Sequence, residues 1–244
     1  MQRRLLFISI AFAYTSEVLC QTAPQQKPTS VSVSNDKDRF VTQINLTDVH
    51  GQPFKNEYSD VTGSPFFVDK WLTASLKLKS GARCDNIQSR LNLCKQELHL
   101  RANNDEEWTF SSGYISEVEF LDSLENQKYK FRTGLPAIDN QNENNFYQVF
   151  CEGHFSLIKA IRKIISVNKN EISGEIEKKF DTYEDYYLFF NNQIVRLKKD
   201  KEFILKMLSE RKDQVENFLK NHAINFKNIS DVIKLLQFYN SLTS

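Results

Sequence analysis

The sequence predicts a mainly β, α+β protein: an antiparallel β-meander or curved sheet closed by a small C-terminal helical cap. Three observations carry this expectation. From Trp71 to Phe110 apolar and polar residues alternate with a period of two between short turn signals. The alternation returns in shorter runs as far as Leu197, and beyond about residue 199 the apolar spacing changes to three and four. A chain that is 40% hydrophobic, with 19 Phe and 9 Tyr, has enough apolar bulk for a core, while only 7 Gly and 5 Pro argue against disorder or a fibre.

The N-terminus reads as an export signal. Arg3 and Arg4 form a basic n-region, and Leu5 to Tyr14 form an apolar stretch too short to span a bilayer, which takes about 20 apolar residues. Val18-Leu19-Cys20 places fairly small residues at the −3 and −1 positions, so cleavage after Cys20 is expected, with a lipid-modified Cys20 as the rival reading. The domain plan is then a signal peptide over 1–20, a polar leader over 21–39, an antiparallel β domain over 40–198 and a helical cap over 199–244. No later run has the length and apolarity of a membrane span.

Each element has a local reason. Gly63-Ser64-Pro65-Phe66-Phe67 is a turn whose two large aromatics should be pinned to the body. Leu72, Ala74, Leu76 and Leu78 form one strand face; Ile87, Ser89, Leu91 and Leu93 form the next; Leu98 and Leu100 form a third, and Trp108 and Phe110 a fourth. Asn103-Asn104-Asp105 is read as the turn before the fourth run. Short connections make a meander the economical topology. Tyr114 to Leu121, Lys128 to Arg132 and Phe146 to Cys151 continue the strands, with 134–145 as a loop.

Residues 155–167 carry helical spacing but β-branched composition, so the residues alone leave strand and helix balanced. Residues 168–184 read as a charged linker. Tyr186 to Phe190 and Gln193 to Leu197 flank Asn191-Asn192 as a hairpin. Three helical pieces follow, with Ser209 and Ser230-Asp231 as expected N-caps of the last two.

The order of several of these features resembles a family. Gly63-Ser64-Pro65-Phe66-Phe67 before Trp71, Arg90-Leu91-Asn92-Leu93 with Glu97-Leu98, Glu152-Gly153-His154-Phe155-Ser156-Leu157, and Asp231 to Leu235 with Tyr239-Asn240-Ser241-Leu242 are similar to a family of exported, functionally uncharacterised proteins of Gram-negative bacteria. The resemblance spans roughly residues 60–244. It implies a strand over 155–163 and an architecture, and carries no activity, ligand or functional residue. Cys94 stands where the family often has an aromatic residue.

The whole chain has 32 basic and 31 acidic residues; without Arg3, Arg4 and Glu17 the mature balance is zero. That disfavours nucleic acid, which needs a clustered basic surface. Cys84, Cys94 and Cys151 remain after cleavage, too few for a disulfide framework, and read as small buried residues with one optional bridge. His50, His99, His154 and His222 form no chelating pair, so no metal or cofactor is expected, and His99 should lie on a surface face opposite Leu98 and Leu100. Cys151 and His154 could meet as nucleophile and base only across a turn at Gly153. Glu117 with Glu119, or Glu106 with Glu107, could serve glycoside hydrolysis, although a solvated strand face is the plainer reading.

The aromatic clusters give the binding candidates: Phe66, Phe67 and Trp71 in one stretch, Tyr186 and Tyr187 in another. Exposed on a sheet they would stack on sugars or receive a peptide; packed inward they would form core. The sequence therefore points to a non-catalytic binding or structural protein of the cell envelope, periplasmic or extracellular, whose partner is an envelope protein or a glycan. A hydrolase of envelope or extracellular glycans is the alternative.

Overall fold

The computed structural model describes residues 58–101, 106–169, 171 and 174–242, together with two short strands, β1 (Ser30–Val31) and β2 (Ile44–Asn45), paired antiparallel. The export signal and the Asn103-Asn104-Asp105 turn lie outside the described residues, as does the leader apart from Ser30–Val31.

The main body is one ten-stranded antiparallel sheet. Its strands are β3 (Leu72–Leu78), β4 (Arg83–Asn92), β5 (Glu97–Arg101), β6 (Glu107–Ser111), β7 (Ile115–Asp122), β8 (Gln127–Arg132), β9 (Tyr147–Cys151), β10 (Ser156–Lys169), β11 (Ile176–Phe190) and β12 (Gln193–Arg196). The spatial order β12-β11-β10-β9-β8-β7-β3-β4-β5-β6 makes two meanders, β3 to β6 and β7 to β12, joined at the β3–β7 pair. The expected inward faces hold: Leu72, Ala74, Leu76, Ile87, Leu91, Leu93, Leu98, Leu100 and Phe110 are all buried in one cluster with Val118, Phe120 and Phe131.

The ladder is open, with β6 and β12 as its edges, but it is bent. Only Ser112–Tyr114, a single 3-10 turn, links β6 to β7. Three linking residues reach at most about 14 Å, whereas four ladder steps at about 4.8 Å each span about 19 Å on a flat sheet. The β3–β6 leaf therefore folds back over the other half. Direct bonds mark the meeting: the Leu93 carbonyl accepts from Lys163 N (3.3 Å), Gln96 Nε2 donates to Ile161 O (3.1 Å), and Gln96 Oε1 accepts from Phe146 N (2.9 Å).

Residues 156–169 are strand, which resolves the balance left by the sequence. The charged stretch 168–184 is no linker: β10 and β11 pair without interruption from Ser156–Phe189 to Lys169–Ile176. Toward its tip this hairpin exposes both faces, so neither face carries the apolar alternation that marks a half-buried strand. The Asn191-Asn192 turn is as expected, both residues adopting positive φ (46° and 58°) as a two-residue hairpin turn requires.

Three helices, α1 (Lys201–Met207), α2 (Lys212–Asn221) and α3 (Ile229–Ser241), cover the end of the sheet formed by β9 to β12. Ile204, Leu208, Val215, Val232, Leu235, Leu236 and Tyr239 meet Cys151, Phe155, Leu157 and Leu188 there. The caps differ from expectation. Asp200 caps α1 through Phe203 N, Ser209 lies in a 3-10 turn, α2 has no side-chain cap, and Asn228 rather than Ser230 caps α3. Asp231 instead accepts from Asn225 N (3.1 Å) and steadies the loop leading into α3.

Asn240 fixes α3 to the sheet. Its Oδ1 accepts from Phe155 N (3.0 Å), and its Nδ2 donates to Phe155 O (2.8 Å) and Glu152 O (3.2 Å). The side chain lies across Gly153, whose φ is +148° and where a Cβ would come within 2.5 Å of Asn240 Cγ. The Glu-Gly-His-Phe and Tyr-Asn-Ser-Leu motifs are thus the two halves of one contact.

Asn240→Ala is expected to lower unfolding free energy by about 2–4 kcal/mol, because it leaves buried backbone groups of the turn unpaired. Gly153→Ala should cost at least as much through clash and strain. Urea denaturation monitored by tryptophan fluorescence measures both.

Candidate functional site

The most structured polar region lies where residues 58–71 cross the sheet as a strap. Thr62 pairs in parallel with β11: Thr62 N donates to Lys178 O (2.8 Å) and Thr62 O accepts from Phe180 N (3.1 Å). Further along, Pro65 O accepts from Leu93 N (2.9 Å) and Phe67 N donates to Leu91 O (2.8 Å), so the strap stitches β11 to β4. Between them Lys163 of β10 donates from Nζ to Ser64 O (2.8 Å) and Phe66 O (2.6 Å). Burial pulls the Lys163 pKa down, and the nearby Asp69 carboxylate acts against that shift.

Under the strap, β4, β5 and β6 contribute a buried polar chain. Arg90 grips Glu107 through two short bonds from one guanidinium nitrogen (2.7 and 2.8 Å) and a third from Nε (3.3 Å). Glu107 also meets His99 Nδ1 at 2.6 Å, while His99 Nε2 lies 3.1 Å from Glu97 and 3.4 Å from Asn92 Nδ2. Asn92 Oδ1 accepts from Cys94 N and Lys95 N (3.0 and 3.1 Å), shaping the β4–β5 turn. His99 is fully buried, not a surface residue. Its face of β5 is opposite Leu98 and Leu100 as expected, but the strap covers that face and packs Phe66 edge-on against the imidazole at 5.0 Å.

The guanidinium of Arg90 sits 3.8 Å over the Phe66 ring and 4.6 Å from the Trp71 ring, and Arg101 approaches Trp71 to 4.4 Å. Arg90 is therefore held by charge on one side and by aromatic faces on the other. Beside it opens a cleft of about 200 Å³ lined by Tyr58, Gly63, Ser64, Pro65, Phe66, Asp69 and Arg90. Tyr58 is fixed edge-on to Phe180 at 5.3 Å, with Lys95 6.0 Å from its ring, and burial raises its pKa. Two aromatic rings, a fixed guanidinium, a hydroxyl and a carboxylate thus converge on one small concavity.

The five aromatic candidates do not form a single site. Phe66 and Trp71 belong together around Arg90, while Phe67 turns the other way against Tyr129 and Phe131 (5.0 and 4.9 Å). Tyr186 lies in the cluster beneath the helices, near Lys199 (4.4 Å), and Tyr187 is fully buried with its hydroxyl donating to Asp139 (2.9 Å). Phe66 and Tyr187 accordingly serve as core, and only Trp71 and Tyr186 keep part of their rings accessible beside a cation. Tyr58, Asp69 and Arg90 were not singled out as candidates from the sequence. Only Arg90 carried a signal, as the first residue of Arg-Leu-Asn-Leu.

The remaining candidates have other occupations. Glu117 and Glu119 stand side by side on β7 and both reach Lys130 (3.0 and 3.7 Å), which also holds Glu152 (2.9 Å). Glu107 is committed to Arg90 and His99. Cys84, Cys94 and Cys151 are free thiols. Burial pushes the Cys84 pKa up to about 11 and raises that of Cys151, the reverse of what a nucleophile needs. His154 packs on Phe155 and Tyr239. Among the described residues no group of acidic, His or Cys side chains could hold a metal ion, and no helix is long and apolar enough to cross a membrane.

Glu107→Ala should destabilise the protein by about 3 kcal/mol, since it removes the carboxylate that Arg90 and His99 share, whereas exposed Glu119→Ala should fall within about 0.5 kcal/mol of wild type. Thermal melts of the two variants test the contrast. Thiol titration of the native protein at neutral pH should leave Cys84 and Cys151 unmodified until denaturant is added. The Cys84 shift also sets a pH dependence: with the folded pKa raised, its contribution to stability is intact below the ordinary thiol value of 9.0 and is lost as pH climbs toward about 11.

Compared with protein-family models, curated proteins and solved structures, the chain matches none of them.

Proposed function

We propose that this chain is an exported, non-catalytic binding protein of the cell envelope, and that the cleft beside Arg90 receives one sugar unit of an envelope or extracellular glycan. The observation that carries the reading is the lining of the cleft. The ring of Tyr58 suits the C–H surface of a pyranose ring, Arg90 places a fixed positive charge beside it, and Asp69 supplies two acceptor oxygens for adjacent hydroxyls. Asp69 forms no ion pair with another described side chain, so its acceptors remain available to a ligand. Its volume of about 200 Å³ falls below the ~300–1,000 Å³ of drug-sized pockets and matches a single ring.

The site is prepared for binding in a second sense. Arg90 is already oriented by Glu107, Phe66 and Trp71, so little side-chain entropy is lost when a ligand arrives. Catalysis would ask for a carboxyl pair facing the ligand from opposite sides. Among the described residues that line the cleft Asp69 is the one acid, and Glu107 is engaged behind Arg90. These features support recognition over turnover, and the signal-like N-terminus with the even charge balance supports the location.

A single sugar of about 12 heavy atoms at about −0.3 kcal/mol per atom binds with a Kd of about 2 mM, and a polymer gains through multiple contacts. NMR titration with a panel of monosaccharides and envelope-derived oligosaccharides should move the resonances of Tyr58, Ser64 and Asp69 in particular. Asp69→Asn and Tyr58→Ala should each weaken binding about tenfold with the fold retained. Saturable shifts elsewhere, or none with any saccharide tested, would overturn the assignment.

A further inference from the structure

The strap closes over a buried imidazole whose contacts belong to two different proton states. His99 is fully buried on β5. The charged groups on its side of the sheet are Arg90 of β4, Glu97 and Arg101 of β5, and Glu107 of β6. The β4–β5 turn adds Cys94 and Lys95, and the strap adds Tyr58 and Asp69 around Phe66, which lies edge-on to the ring. Lys163 of β10 holds the strap by the Phe66 carbonyl.

Nδ1 of His99 lies 2.6 Å from Glu107, whose two oxygens already accept from Arg90, so Nδ1 is the donor and carries a proton. Nε2 has two neighbours with opposite demands. Glu97 Oε1 at 3.1 Å calls for a proton on Nε2, whereas Asn92 Nδ2 at 3.4 Å calls for a bare nitrogen that accepts. Asn92 cannot remove the conflict by turning its amide over, because its Oδ1 is held by Cys94 N and Lys95 N (3.0 and 3.1 Å). The two contacts therefore exclude each other. With the extra proton His99 bridges both glutamates; without it His99 donates to Glu107 and accepts from Asn92.

The group that the proton acts on is Asn92. The same Nδ2 donates to the Tyr58 hydroxyl (3.5 Å), and Tyr58 lines the cleft. An amide nitrogen has two hydrogens, so beside a bare Nε2 it bonds His99 with one and Tyr58 with the other, and the cleft wall is tied to β5. A proton on Nε2 sets two donors face to face, drives Asn92 Nδ2 off the imidazole and loosens that tie.

We infer that His99 is a proton-operated switch for the cleft, acting through Asn92 on Tyr58. The inference rests on the cleft being the ligand site, and His99 is a positioning residue within it. The sign follows from the geometry. The tied wall belongs to the state with one proton fewer, so a ligand that uses Tyr58 binds more tightly as pH rises through the His99 transition and less tightly below it.

Nitrogen NMR of the full chain over about pH 5–8, where histidine ordinarily exchanges its proton, reads both ends of the coupling. The Nε2 resonance should pass from the bare position at high pH to the protonated position at low pH while Nδ1 stays protonated, and the Tyr58 ring signals should move with the same midpoint. Glu97→Gln removes the charge that favours the extra proton, so both transitions should shift together to lower pH. Glu97 is partly exposed, and the variant is expected to fold. A saccharide that binds wild type should bind about tenfold more weakly at the acid end of the range. An Nε2 that keeps one form throughout overturns the inference, as does a Tyr58 signal that ignores the transition or is unmoved by Glu97→Gln. These readings need no ligand, so coupled transitions without saccharide binding would sink the glycan and uphold the switch, while a saccharide bound equally well at both ends would uphold the glycan and sink the switch.

Discussion

The architecture depends on a covalent constraint: three residues join the edge strand β6 to the central strand β7. A chain that short cannot cross a flat sheet, so one leaf must fold over the other. Everything distinctive about the molecule follows from the fold-over. The β4–β5 turn lands on β10 and is held there by Gln96, whose side chain bonds three backbone groups from separate parts of the chain. β5 becomes buried on both faces, which places an imidazole in the interior with partly covered carboxylates at both of its nitrogens. The strap then closes the seam between the halves, and the cleft is the gap between strap and β4.

The sequence made the strands legible because most of them bury one face only. Alternation at Leu72 to Leu78 and Ile87 to Leu93 located both the elements and their inward sides. It failed where that premise failed. His99 looked exposed because residues next to Leu98 and Leu100 usually are, and no local signal reveals a strap arriving from elsewhere. The distal hairpin looked like a linker because both of its faces meet solvent, leaving only its partner strand to define it. The placement of β7 beside β3 depends on pairing partners far apart in the chain, which periodicity does not encode.

The candidate site divides in the same way. Aromatic richness drew attention to Phe66 and Trp71, and both do surround the polar chain. Yet the groups that give the cleft its chemistry are Tyr58, Asp69 and Arg90, three residues on two separate segments whose convergence exists only after folding. Arg90 serves the interior and the cleft lining at once. Its ion pair with Glu107 stabilises the interior, and the same pairing sets the direction in which the guanidinium meets the cleft.

The clasp between Asn240 and the Phe155 turn joins positions 85 residues apart. Synthesis is vectorial, so the turn exists long before the residue that secures it. Until α3 is complete, the surface formed by Leu157, Leu188 and Cys151 lacks the share of its cover that Val232, Leu235, Leu236 and Tyr239 supply. That apolar patch is covered in full only when α3 arrives.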